Sequence, residues 1–287
     1  MKIIQLHPTL YCEQNCTWCP YQGSHDDSEI PFAEIQRQLL RYRSSTNILK
    51  ISGGGSPTLY RDFAELLKFA RQVGYEIYLQ TENSPLLDSL VREYCHDIRV
   101  SFGDGIPFSP PNISVDGFSY VISRSPEYDN LNELITYAEK KRMYVRVTQD
   151  DTDLENIPTI EQIMTHIKPP NPQPPNPPCP LIRGLGVGGS QGGSQGGINT
   201  IPAGTTEGNR LTGFGFNLRF WDALDYHHGK NPCPCYDSPL LTPLGWFPCC
   251  KTHVAQGLSA GYNETMNLGW EYPETPYDGS GCSRCYY

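Results

Sequence analysis

The chain has no apolar run long enough to cross a membrane, for which about 18 uninterrupted apolar residues are needed. Its first residues, Met1 to Leu10, carry one lysine and a short β-like run, without the apolar core or cleavage site of a secretory signal. The expectation is a cytoplasmic protein with no membrane partner. Positive charge is scarce too: 22 Lys and Arg against 31 Asp and Glu give a formal net charge of -9, with only 18% charged residues. That leaves no basic footprint for a phosphate backbone, and so no clear nucleic-acid partner. An even cysteine count is also missing. Eleven cysteines in 287 residues without a signal read as metal binding rather than a disulfide framework.

What is present is an alternation of strand and helix patterns. Runs at 2–6, 47–52, 75–81, 98–102, 118–123 and 144–148 read as strands, and 31–43, 60–73, 85–94, 128–141 and 157–167 carry helical spacing. Gly74 is placed to end the second helix in the left-handed conformation. Cys95 falls in the third helical pattern, as a small buried hydrophobe. Alternation of this kind implies parallel strands with right-handed crossovers. A full eight-unit barrel takes about 250 residues. Here the pattern stops near residue 168, which predicts an α/β fold: a partial, open (β/α)6 TIM-like barrel over residues 1–168.

Residues 169–178, PPNPQPPNPP, can form neither helix nor central strand, and 188–197, GGSQGGSQGG, is a flexible tract, natural or an engineered replacement for a loop. Together they make 169–207 a linker. Beyond it, 208–287 is a second unit of short aromatic and Gly/Pro-rich pieces with cysteines, which a metal would hold together.

The stretch Cys12-Glu-Gln-Asn-Cys16-Thr-Trp-Cys19 sets three thiols on the loop after the first strand, the functional face of such a barrel. A [4Fe-4S] cluster normally takes four cysteines, so three leave one iron open to a small molecule. A zinc site is the alternative, with a remote fourth ligand. The spacing resembles the CX3CXΦC motif of the AdoMet radical superfamily, with Trp18 as the aromatic before the last cysteine. The resemblance implies a cluster that binds S-adenosylmethionine and cleaves it reductively to a 5'-deoxyadenosyl radical.

Further positions carry the resemblance. Gly53, Gly54, Gly55 and Ser56, followed by Pro57, resemble the family's GGEP segment, which contacts the methionyl amino group. Ser56 stands where the family usually has Glu, so that contact is weakened or passes to backbone carbonyls. Gln80 and Glu82, at the end of the third strand, resemble the ribose-contacting region, and an ordinary polar loop with a helix cap at Asn83 or Ser84 is the plain alternative. Ser101 and Arg146 are further candidate AdoMet contacts.

Near the C-terminus, Cys235, nine residues, Gly245, four residues and Cys250 match the CX9-15GX4C signature of SPASM and twitch extensions. Trp246-Phe247-Pro248-Cys249 resembles the end of that hairpin, which makes Cys249 the alternative ligand, as Cys233 is to Cys235. Asn267-Leu268-Gly269 resembles the segment that follows it. With Cys282 and Cys285 these make one four-Cys set, which implies a twitch-like auxiliary [4Fe-4S] cluster; structural zinc is the alternative. His227 and His228 read as surface residues.

The function implied is hydrogen abstraction from a small-molecule substrate, by oxidation or rearrangement, with electrons from a donor such as flavodoxin or ferredoxin. A ribosomal peptide is the other substrate class, set second because the chain enters its first strand at once, without a recognition domain in front. A non-catalytic Fe-S or zinc protein is the reading of another class, and it predicts fully ligated clusters.

Overall fold

Short runs that alternate large apolar and polar residues bury one face of a strand, and amphipathic helices cover that face. The computed structural model describes residues 3–14, 16–19, 21, 25–149, 157–168, 218–221, 239–247 and 268–272. The strands are β1 (Ile4–Leu6), β2 (Ile48–Ile51), β3 (Glu76–Glu82), β4 (Cys95–Gly103), β5 (Gly117–Ile122), β6 (Tyr144–Gln149), β7 (Leu218–Trp221), β8 (Leu240–Thr242) and β9 (Gly245–Phe247). The helices are α1 (Phe32–Tyr42), α2 (Phe63–Gln72), α3 (Ser89–Tyr94), α4 (Tyr128–Lys141) and α5 (Ile160–His166). They form a nine-stranded sheet of order β7-β6-β5-β4-β3-β2-β1-β8-β9, parallel except for the β8–β9 hairpin.

The six expected strands therefore lie side by side in chain order, as an open (β/α)6 unit requires. No helix among the described residues is long and apolar enough to cross a membrane. Ile77, Leu79, Ile98, Val100, Phe118, Val145 and Val147 pack with Leu39, Leu66, Leu67, Leu134 and Ile135 of the helices in one core. Each helix has its ends fixed locally. Glu34 and Arg41 complement the dipole of α1, and Gly74, at φ +94°, turns the chain out of α2.

The differences from expectation have local causes. The second helix begins later, because a 3-10 turn at Pro57–Leu59 precedes it. The third is cut to Ser89–Tyr94 by Asp88, whose Oδ1 accepts hydrogen bonds from the N–H groups of Leu90 and Val91. Cys95 is corrected from helix to strand. It opens β4, pairs with Ile77 and is buried, as its size predicts. The sheet also takes in three strands from the C-terminal segment. Backbone bonds join Trp246 N–H to Gly269 O and Leu268 N–H to Trp246 O, both at 2.7 Å. The buried Trp246 packs against Tyr42 of α1 and Tyr272, with Gln38 beside it. The linker 169–207 lies outside the described residues.

Candidate active site

The chain leaves β1 at its C-terminal end and makes a loop whose two ends are zipped together. Leu10 N–H bonds Ser28 O and Ile30 N–H bonds Pro8 O, each at 2.9 Å, around a Thr9–Glu29 bridge. Cys12, Cys16 and Cys19 sit inside this closed loop, half-buried and free of disulfides. Backbone N–H groups of Gln14 and Tyr21 donate to the Cys12 and Cys19 sulfurs at 3.4 Å. His25 Nδ1 lies 3.0 Å from Leu10 O, so it must carry the proton, which leaves Nε2 as the acceptor facing Cys19 Sγ at 3.6 Å.

Burial, and then the charge of neighbouring Cys19 and Cys12, pushes the Cys16 thiol up to about 12. Burial pushes Cys19 to about 12, with Cys12 adding to it, and raises Cys12 itself. Three sulfurs that resist ionising in one another's company suit a cationic centre that draws their protons off. Among the described residues no three of His, Cys, Asp or Glu converge as ligands of a single ion. One iron per thiolate, as in a cluster, makes no such demand. Three free thiols in one closed loop are a donor set that fits an iron-sulfur cluster.

The glycine segment after β2 is pinned to this loop. Gly55 N–H bonds Thr9 O at 3.1 Å and Ser56 N–H bonds Tyr11 O at 2.7 Å. A Cβ on Gly55 would lie 2.2 Å from Tyr11 O and 2.5 Å from Leu10 C, so the approach tolerates no side chain. Glu82, at the end of β3, closes the third side. Its Oε1 accepts from Ser56 and from Thr58 at 3.1 Å, and its Oε2 from Thr81 at 2.8 Å. The Glu82 charge is felt by Cys12 and Cys16.

On the sheet face away from the helices, Glu82, Ser101, Ser119 and Arg146 stand side by side on four neighbouring strands. Gln80 Nε2 lies 3.4 Å from Ser101 Oγ. Trp18 reaches across to the end of β4, where a Cβ on Gly103 would fall 2.4 Å from its Nε1. That indole N–H is buried and has no acceptor among the described residues. An orphaned donor and a carboxylate held only by neutral hydroxyls, at the C-terminal ends of parallel strands, are what a polar, partly cationic ligand would satisfy.

No family model matches the chain. A probable GTP 3',8-cyclase of Saccharolobus solfataricus is 27% identical over 124 residues, 42% of this chain and 38% of that protein. SuiB of Streptococcus suis bound to S-adenosylmethionine aligns over 93% of this chain and 64% of its own, at 13% identity and a TM-score of 0.54. A second structure of SuiB aligns over the same shares at 0.53. The structural likeness shows a shared fold, and the relative is consistent with the motif's resemblance to the AdoMet radical superfamily. The chain spans under two thirds of the length of each of these proteins.

Of the AdoMet radical positions read from sequence, Cys12, Cys16, Cys19, Trp18, Gly55, Ser56, Gln80, Glu82 and Ser101 gather at one edge of the sheet. Gly53 and Gly54 complete the glycine segment. Cys233, Cys235, Cys249, Cys250, Cys282, Cys285, His227 and His228 lie outside the described residues. Sequence reading missed two residues of this edge. One is His25, whose only signal is its place six residues after Cys19. The other is Gly103, an isolated glycine ending a strand, a pattern that marks close approach of another group.

Proposed function

We propose that the chain is an AdoMet radical enzyme. Cys12, Cys16 and Cys19 would hold a [4Fe-4S] cluster, and Trp18, the Gly53–Ser56 segment, Gln80, Glu82 and Ser101 would hold AdoMet. A cluster with one open iron, loaded with AdoMet, supplies reductive cleavage to a 5'-deoxyadenosyl radical that abstracts hydrogen from a bound substrate. The observation that supports this best is the coupling of the thiol loop to the bare glycine segment and to Glu82. It sets a sulfur-rich pocket and a charged, hydrogen-bonding wall on one edge.

The chain's own part is to bind, orient and exclude water. Backbone N–H groups hold the Cys12 and Cys19 sulfurs, His25 stands beside Cys19, and Trp18 lies over the end of β4. Beyond Ser101 in the same row, Ser119 and Arg146 favour a small polar substrate, with a ribosomal peptide as the other class. Cys282, Cys285, Cys235 and one of Cys249 and Cys250 would hold an auxiliary [4Fe-4S] cluster. A flavodoxin or ferredoxin would serve as electron donor.

The test is anaerobic reconstitution with iron and sulfide counts, followed by AdoMet and dithionite while 5'-deoxyadenosine is measured. About eight irons with 5'-deoxyadenosine formed is the expected result. Replacing all three of Cys12, Cys16 and Cys19 by Ala should abolish cleavage and leave one cluster's iron. Cleavage that persists in this variant, or bound zinc with AdoMet intact in the unaltered chain, would overturn the reading.

A further inference from the structure

The glycine segment lacks the carboxylate that its resemblance would place at position 56, and the fold brings one there from another strand. Ser56 is 1% exposed and donates its hydroxyl to Glu82, which ends β3 half-buried beside the thiol loop. Thr58 and Thr81 hold the same carboxylate. An ionised carboxylate offers about four accepting positions. Two hydroxyls reach Oε1 and one reaches Oε2, so Oε2 keeps a free one.

Hydroxyl donors offset part of the cost of half-burying this charge but bring no charge of their own. Among the described residues no Lys, Arg or His pairs with Glu82. Its partners are all neutral. The missing partner must therefore carry positive charge and an N–H donor. In AdoMet the α-ammonium has both. The sulfonium has no donor, and the ribose hydroxyls and adenine have no charge.

We propose that Glu82 receives the α-ammonium group of AdoMet, with Ser56, Thr58 and Thr81 as positioning residues that aim its carboxylate. The proposal rests on the AdoMet reading above and moves Glu82 from the ribose to the amino-acid end of the ligand. Ser56 then acts on the cofactor only through Glu82.

The test is calorimetric titration of the anaerobically reconstituted protein, at matched iron content, with two probes. One is AdoMet. The other is the analogue in which the α-amino group is replaced by hydrogen. Glu82→Gln should weaken AdoMet binding about tenfold to a hundredfold, the range for losing a charged hydrogen bond, and leave the analogue's affinity unchanged. Returning the carboxylate to the glycine segment, in the S56E/E82S double variant, should recover part of the AdoMet affinity. Equal AdoMet affinity in the E82Q variant and the unaltered protein would overturn the proposal alone. So would an equal loss for both probes, which would hand Glu82 to the ribose or to the fold. An unaltered protein that binds neither probe would overturn the AdoMet reading, and this proposal with it.

Discussion

Two half-buried carboxylates on the same sheet face, Asp97 near the start of β4 and Glu82 at the end of β3, are treated in opposite ways. Asp97 has its compensation built in. Tyr144 OH donates to it at 3.2 Å and accepts from Arg99 Nε at 2.8 Å, and the guanidinium lies 5.1 Å from the Tyr144 ring centre. A Cβ on Gly117 would fall 2.5 Å from that ring, so the bare glycine lets it lie flat. Burial pushes the Asp97 carboxyl up while Arg99 pulls it down. Glu82 is oriented by three hydroxyls and, among the described residues, given no cation. One end of the face is finished by the chain, and the other is left for a ligand to finish.

Changes at the finished end should therefore cost stability and spare AdoMet affinity, and those at the open end the reverse. The largest effect is expected where the open end is built on backbone. Gly55→Ala forces a Cβ against Leu10 and Tyr11 and should lose about 3 kcal/mol of stability by urea denaturation, as overpacking does. It should also lower cluster retention, so it marks where the comparison breaks. Arg99→Ala strips Asp97 of its cation. It should cost about 1.5 kcal/mol, the low end for a hydrogen bond from a charged group, with AdoMet affinity unchanged. Tyr144→Phe should cost about 1 kcal/mol. Glu82→Gln should shift stability by no more than about 0.5 kcal/mol despite its loss of AdoMet binding; a loss as large as that of Arg99→Ala would erase the contrast.

The smallest effect is a pH dependence at the finished end. Burial holds the Cys95 thiol at about 12 against 9.0 for a free one. Its contribution to stability is thus complete below about pH 9 and is lost as pH rises towards 12, where the unfolded thiol ionises and the folded one resists. Urea midpoints of Cys95→Ala should fall less steeply over that range than those of the unaltered chain.

The parts of this arrangement that are local in sequence were legible. Six strands in order follow from alternation of patterns, Cys12, Cys16 and Cys19 stand out by spacing, and Gly53–Gly55 by resemblance to a family segment. Glu82 and Ser101 were found as polar ends of strands, but their pairing was not. The Ser56–Glu82 bond joins residues 26 apart, and no periodicity encodes such a contact. His25 reads as one more loop residue until the zipped loop brings it against Cys19. Cys95 and α3 were misread because residues 85–94 carry a helical pattern throughout, and only the Asp88 cap reveals where the helix starts.

The zipped loop also bears on the order in which the molecule assembles. Thr9 and Ser28, at its neck, are 19 residues apart, whereas the contact of Gln38 with the Trp270 carbonyl spans 232. Chain entropy makes the short closure cheaper by about 2 kcal/mol. Low contact order also makes it faster. The cysteine loop is thus placed to close early on its own, and β8 and β9 to dock onto a sheet edge beside which its thiols already lie.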